Sequence, residues 1–288
     1  MWTPENLSDY ELIDTSDGQR LERWGEYILS RPDPQVIWKG VKASPEWKKA
    51  DGVYHRSNKG GGNWDIKNPR MPDFWTISTN GLVLGVRTMG FKHTGVFPEQ
   101  SVNWEWEANL IKKANRPIKV LNLFAYTGAA TMACAAAGAA VCHVDASRGM
   151  VLQAKENARL SGLENAPIRY IVDDCAKFVA REIRRGNFYD AVILDPPSYG
   201  RGPTGEVWKI EDSIGEFLEL CEKVLSDNPL FVLLNSYTTG LAPSTMAYLL
   251  HLKIASKRGG KISADEIGLM TSSTGMPLPC GASARWTL

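Results

Sequence analysis

Residues 194–200 read Leu-Asp-Pro-Pro-Ser-Tyr-Gly and follow the apolar run Tyr189-Asp190-Ala191-Val192-Ile193, which has the composition of a buried strand. Two consecutive prolines donate no hydrogen bond to a sheet, so the strand must end at Asp195. A core strand that stops on Asp195, Pro196, Pro197 and the nearby aromatic Tyr199 presents a rigid acceptor pocket. The plain alternative is a strand-ending turn whose aspartate caps the next element.

The elements that hold this turn follow from hydrophobic spacing. Residues 119–124 read as a strand, and the Ala-rich stretch 129–137 reads as a helix closed by Gly138. Residues 140–145 make a second strand, after which Ser147 caps a helix with Val151, Ala154 and Ala158 on one face, stopped at Gly162. A third strand spans 168–172, followed by a helix through Phe178, Val179 and Ile183, and the fourth spans 189–194. Ile214, Phe217, Leu218, Cys221, Val224 and Leu225, spaced by three and four, mark the core face of the next helix. A fifth strand covers 230–234, a last helix passes through Met246, Leu249, Leu250 and Ile254, and the tail from 261 to 288 reads as a β-hairpin closing the sheet edge. Apolar strands alternating with amphipathic helices predict an α/β, Rossmann-like domain with a mostly parallel seven-stranded sheet over 101–288.

Residues 1–100 punctuate differently, as a smaller β-rich domain. Residues 74–79 and 82–87 are β-rich runs joined by Asn80-Gly81, the signature of a type I′ hairpin. Further strands are expected at 10–14 and 26–30. Asn58-Lys59-Gly60-Gly61-Gly62-Asn63 reads as a flexible connector, since its lysine precedes the glycines and so does not make a Walker loop.

Of 288 residues, 43% are hydrophobic and 23% charged, ordinary for a globular chain with a sizeable core. No apolar run approaches the length of a bilayer span, and the acidic first residues lack the features of a secretory signal, so the expectation is a cytoplasmic protein with no membrane partner. Five scattered cysteines show no metal-ligand spacing, which predicts reduced buried thiols and no metal. The net charge of +1 hides an uneven distribution: residues 31–120 hold fifteen basic and eight acidic residues, and eight of the ten tryptophans precede residue 110. Basic charge and aromatic faces coincide there, as single-stranded nucleic-acid grooves require; a tryptophan-rich β core with solvated lysines is the bland alternative.

In such parallel sheets ligands bind outside the carboxyl ends of the strands, where strand order reverses. Those ends here are Phe124-Ala125-Tyr126-Thr127-Gly128, Asp145-Ala146-Ser147, Asp173-Asp174-Cys175 and Asp195-Pro196-Pro197. Gly128 permits close backbone approach, and Asp145, seventeen residues on, stands where an acid can accept both ribose hydroxyls of a nucleotide cofactor. A dinucleotide needs the glycines of GxGxxG to seat its pyrophosphate, and this loop has one; S-adenosylmethionine has no pyrophosphate to seat.

The residues 121–128 (Leu-Asn-Leu-Phe-Ala-Tyr-Thr-Gly), Asp173-Asp174 and Asp195-Pro196-Pro197 resemble the class I S-adenosylmethionine-dependent methyltransferases related to the bacterial large-subunit ribosomal RNA methyltransferases, over roughly residues 90–240. Thr94-Gly95-Val96-Phe97-Pro98-Glu99-Gln100 is similar to the segment that closes over the cofactor in those enzymes. By that resemblance Phe97, Gln100, Tyr126 and Gly128 line the cofactor pocket, Asp145 holds the ribose, and Asp174 with Cys175 meets the adenine. Thr94, Gly95, Asn122, Phe124, Ala125, Ala146, Ser147 and Asp195 complete the cofactor surroundings it implies. Relatives that methylate cytosine carbon-5 use a cysteine just past the fifth strand, and none stands at 234–238 here. The Asp195-Pro196-Pro197 turn instead resembles the (Asp/Asn)-Pro-Pro-(aromatic) motif of nitrogen methyltransferases, with Ser198 placed before Tyr199. That implies Asp195 and the Pro196 carbonyl orienting an amino group and Tyr199 stacking on a base. The expected function is methyl transfer to a nitrogen of an RNA base, against a protein or small-molecule acceptor, or a silent cofactor- and RNA-binding module.

Overall fold

The computed structural model describes all residues except 6, 41, 58–60 and 202–206, and all side chains of those but that of Arg201. Residues 58–60 of the expected glycine-rich connector therefore lie outside the described part, while its Gly62 and Asn63 begin a strand instead. The chain divides into two compact units, Met1–Val102 with Ile267–Cys280, and Asn103–Glu266 with Gly281–Leu288.

In the first unit five strands pair in chain order: β1 (Tyr10–Ser16), β2 (Gln19–Trp24), β3 (Tyr27–Pro32), β4 (Gly52–Arg56) and β5 (Gly62–Ile66). A separate hairpin joins β6 (Phe74–Thr79) to β7 (Leu82–Arg87), with Asn80 and Gly81 both left-handed (φ 51° and 73°), as a type I′ turn requires. Asp17 and Gly18 make the same conformation between β1 and β2. Strand β2 escaped the sequence reading because its inward positions are charged. Arg20 and Glu22 are buried, and Arg31 donates to Glu22 through Nε at 2.6 Å and through its terminal nitrogen at 2.7 Å, while the Tyr10 hydroxyl donates at 2.7 Å. Burial opposes the Glu22 charge, yet Arg20 and Arg31 hold its carboxyl down at about 2.

The second unit begins with α1 (Ser101–Lys113), whose first two residues belong to the first unit. There follow β8 (Lys119–Leu123), α2 (Ala129–Ala136), β9 (Ala140–Asp145), α3 (Arg148–Leu160), β10 (Ile168–Val172), α4 (Cys175–Arg185) and β11 (Ala191–Leu194). Then come β12 (Tyr199–Arg201), β13 (Val207–Lys209), α5 (Ile210–Lys223), β14 (Phe231–Ser236), α6 (Pro243–Leu250) and the hairpin of β15 (Lys261–Met270) and β16 (Pro277–Thr287), of which Ile267–Cys280 belongs to the first unit. The main sheet has the order β10-β9-β8-β11-β14-β16-β15. Strands β10, β9, β8, β11 and β14 are parallel, and β16 runs antiparallel to β14. This is the Rossmann-like architecture expected, with the closing hairpin at the sheet edge.

Four of the five parallel strands are buried almost throughout, so each face of the sheet needs a helical cover. One face packs Phe178 and Val179 of α4, Ile214, Phe217, Leu218 and Cys221 of α5, and Met246 and Leu250 of α6. The other packs Ile111 of α1 with Cys134 and Ala135 of α2. The chain starts the sheet at its centre with β8, moves outward to β10, and returns to place β11 on the other side. The strand order therefore reverses between β8 and β11, which is where a crevice forms at the carboxyl edge. No helix among the described residues is long and apolar enough to cross a membrane.

Candidate functional site

The strand ends at this reversal are held by a small number of buried contacts. After β8 the backbone is left-handed at Phe124 (φ 56°), Tyr126 (φ 50°) and Gly128 (φ 84°). For bulky residues such dihedrals are strained by roughly 1–3 kcal/mol each and persist only where surroundings over-determine them. Here they do. The Ala125 N–H donates to the Val144 carbonyl at 3.1 Å, the Tyr126 N–H to the Asp145 carboxylate at 2.8 Å, and the Phe124 N–H to the Cys175 sulfur at 3.3 Å. Asn157 of α3 donates its amide to the Thr127 carbonyl at 2.8 Å. A Cβ on Gly128 would lie 2.9 Å from the Ala154 Cβ and 3.3 Å from the His143 ring. Gly128→Ala is thus expected to cost about 2–4 kcal/mol from clash and left-handed strain, lowering the melting temperature by roughly 5–15 °C in thermal unfolding.

Asp145 ends β9 and uses each carboxylate oxygen once: Oδ2 accepts from Tyr126, and Oδ1 accepts from the Ser147 N–H at 2.8 Å. Burial raises its pKa, and those two N–H groups act against the rise. Ala146 and Ser147 are exposed beside it. Asp174 caps α4 by accepting from the Lys177 N–H at 2.8 Å, while the Asp173 N–H donates to the Asp145 carbonyl at 3.1 Å. Cys175 is buried, its thiol pushed up by that burial, and it serves to hold the loop after β8. Asn122 is the penultimate residue of β8 and donates to the Thr131 hydroxyl of α2 at 2.9 Å; that hydroxyl meets His143 Nδ1 at 2.9 Å. Burial lowers the His143 pKa to about 4, so its ring is neutral, and Nε2 is a buried nitrogen with no partner among the described residues.

The turn after β11 is fixed from the far side. The Trp208 indole N–H donates to the Pro197 carbonyl at 2.7 Å, the Ile210 N–H donates to the Ser198 carbonyl at 3.1 Å, and the Thr238 hydroxyl donates to the Ser198 hydroxyl at 2.6 Å. Trp208 also packs edge-on against Phe217 and tilts against Phe124, which links this turn to the loop after β8. Pro196 is buried, Pro197 and Tyr199 are exposed, and among the described residues nothing donates to the Pro196 carbonyl. Asp195 is half-buried between the ends of β8 and β11, its N–H 3.5 Å from the Leu123 carbonyl. The carboxyl edge of the second unit thus brings together the loop after β8, Asp145, Asp174, Asp195 and Pro196.

Thr94, Gly95, Phe97 and Gln100 belong to the first unit. Thr94 is fully buried, with its carbonyl accepting from the Arg87 N–H at 3.1 Å and its hydroxyl unpartnered among the described residues. Gly95 is left-handed (φ 101°), Phe97 tilts against His93, and Gln100 is buried with its N–H donating to the Phe97 carbonyl at 3.0 Å.

Sequence reasoning passed over Trp208, Asn157 and Glu107. Glu107 is fully buried on α1, where burial first and then the nearby Asp195 charge raise its carboxyl to about 8. Two signals were available: an asparagine amid the apolar face of α3, and a glutamate four residues before Ile111 on the buried side of α1.

The family model of the S-adenosylmethionine-dependent methyltransferases matches residues 41–226. A ribosomal RNA large subunit methyltransferase K/L of Shewanella frigidimarina is 33% identical over 141 residues, 48% of this chain and 19% of the relative. A ribosomal RNA large subunit methyltransferase I of Shewanella denitrificans is 31% identical over 132 residues, 46% of this chain and 32% of the relative. The chain therefore spans about a fifth to a third of the length of these curated relatives. The crystal structure of an S-adenosylmethionine-dependent methyltransferase from Agrobacterium tumefaciens is 38% identical, with a TM-score of 0.92 over 99% of this chain and 92% of that one. With the family model covering well over half its length and the strand-end geometry in place, the chain belongs to the S-adenosylmethionine-dependent methyltransferases.

Proposed function

We propose that this methyltransferase acts on a nitrogen of an RNA base, with the second unit as the catalytic domain and the first contributing substrate recognition and cover for the cofactor. The observation that carries the reading is the turn after β11: Trp208 ties down the Pro197 carbonyl, and Asp195 and Pro196 directly follow β11, beside which the strand order reverses. The curated relatives, named as ribosomal RNA methyltransferases, support the choice of RNA.

The residues present fit the cofactor. Each Asp145 oxygen accepts one backbone N–H and keeps lone pairs for a ribose hydroxyl. Phe124, Ala125, Tyr126 and Gly128 form a turn tight enough to admit a ligand against bare backbone, and Asp174 and Cys175 border the next strand end. Ala146 and Ser147 flank the ribose position, and Asn122, tied to Thr131 of α2, is assigned to the cofactor surroundings. Thr94, Gly95, Phe97 and Gln100 are assigned to cofactor contacts from the first unit. When bound, S-adenosylmethionine supplies a methyl group made electrophilic by its sulfonium.

The chain's own residues then orient the acceptor. Asp195 and the Pro196 carbonyl accept hydrogen bonds from an amino group and set its lone pair in line, Pro197 keeps the turn rigid, and Tyr199 stacks on the base. A nitrogen acceptor needs no covalent help from the enzyme. A ring-carbon acceptor would need an accessible thiolate, and all five cysteines are buried, with every thiol pushed up by that burial. The test is labelled methyl transfer to RNA from cells lacking the gene, followed by nucleoside mass spectrometry. An N-methylated nucleoside is expected; label in a carbon-methylated or ribose-methylated nucleoside, or in protein alone, would refute the assignment.

A further inference from the structure

We infer that residues 37–40 and 42–49 form a docking strap for single-stranded RNA, in which Trp38 stacks on a base while Lys39, Lys42 and Lys48 meet phosphates; this rests on the RNA reading above. The strap joins β3 to β4 without a strand among its described residues, and ends in one 3₁₀ turn over Pro45–Lys49.

It is pinned along β1 at both ends. The Asp17 N–H donates to the Trp38 carbonyl and the Trp38 indole N–H to the Thr15 carbonyl, each at 3.1 Å; the Ser16 hydroxyl donates to the Gly40 carbonyl at 3.4 Å. At the other end the Ser44 N–H and the Trp47 indole N–H donate to one Asp14 oxygen at 2.9 and 2.7 Å. The other Asp14 oxygen accepts from the Thr15 N–H at 2.9 Å and the Ser273 hydroxyl at 2.6 Å. Burial opposes the Asp14 charge, but these donors keep its carboxyl below the usual range, so the anchor stays ionised at neutral pH.

A segment held this firmly ordinarily lays its apolar side chains on the core. This one leaves Ile37 84% exposed and Trp38 42% exposed. The Trp38 N–H is already bonded, so what the ring offers to solvent is hydrophobic surface. Around it stand cations. Residues 34–50 hold four lysines and one acid, net +3, and that acid, Glu46, is paired with Lys49 at 2.7 Å. Lys39, Lys42 and Lys48 are exposed, and Lys42 lies over the Trp47 ring at 4.3 Å. An aromatic face beside unneutralised lysines on pre-ordered backbone matches an unstacked base on an anionic chain. It does not match a duplex, whose bases are already stacked.

The test is anisotropy of a fluorescent single-stranded RNA with the full-length protein, titrated between about 50 and 300 mM salt. K39A/K42A/K48A should flatten the slope of log affinity against log salt by about 2, at about 0.7 per phosphate contact for single strands. Trp38→Ala should weaken binding about 5- to 150-fold, and neither variant should change the melting temperature by more than a few degrees. The control K112A/K113A/K119A removes three exposed lysines from the amino edge of the main sheet, outside the strap, and should leave the slope near wild type. If the strap variant behaves like wild type, or no differently from the control, the strap is overturned while methylation of RNA stands. If wild type binds no single-stranded RNA, both fall. Tighter binding to the annealed duplex than to the single strand would overturn the stacking assignment.

Discussion

Asp195→Ala is expected to slow methyl transfer by about 10²–10³-fold while S-adenosylmethionine affinity, read by titration calorimetry, changes less than about threefold. The asymmetry follows from position. Trp208, Ile210 and Thr238 fix the turn through Pro197 and Ser198, so removing the Asp195 carboxylate leaves the backbone path intact. On the proposed function, what is lost is an acceptor that holds the substrate amino group in line with the methyl, an interaction that matters chiefly in the transition state. Asp195→Asn keeps a carbonyl acceptor of the same shape and should lose less. Comparable losses of cofactor binding, melting temperature and rate in Asp195→Ala would assign this residue to the fold instead.

Asp145→Ala should act the other way, weakening cofactor binding by about 100-fold or more and lowering stability by about 2–4 kcal/mol. The carboxylate holds the Tyr126 and Ser147 N–H groups, and the left-handed backbone at Phe124 and Tyr126 depends on such ties. Removing them releases the strained loop as well as the ribose acceptor. Because burial raises the Asp145 pKa, wild-type affinity should fall on acidification at a higher pH than an exposed aspartate would give, as the carboxyl gains a proton. Calorimetry across pH 4–7 reads both effects. Asp145→Asn, with one acceptor oxygen in place of two, should fall between.

The central architecture was legible because β8, β9, β11 and β14 are short apolar runs that each end in a polar turn, and because α5 repeats its apolar residues at helical spacing. The β6–β7 hairpin was announced by its Asn-Gly pair. Strand β2 and α1 escaped for one cause, polar residues facing inward. Strand β2 buries Arg20 and Glu22 as an ion cluster, and α1 buries Asn103 and Glu107 one turn apart, breaking the apolar period that marks a helix. In the second unit the Asn103 amide donates to Asn235 at 3.1 Å and to Ser283 at 2.9 Å, 132 and 180 residues away, partners no local pattern reveals. The strand-end acids of the candidate site were visible from their place after apolar runs. Trp208 was not, because from within β13 it reaches back 11 residues to a backbone carbonyl, and β12 and β13 are three-residue strands too short to show a period.

A crystal structure of the protein with S-adenosylhomocysteine, the product left after methyl transfer, probes the account most directly. Both ribose hydroxyls should lie within hydrogen-bonding distance of Asp145, with the sulfur facing Asp195 and the Pro196 carbonyl across the ends of β8 and β11. Binding of the compound away from that edge, or there with the Asp195 side chain turned out of the crevice, would overturn the assignment.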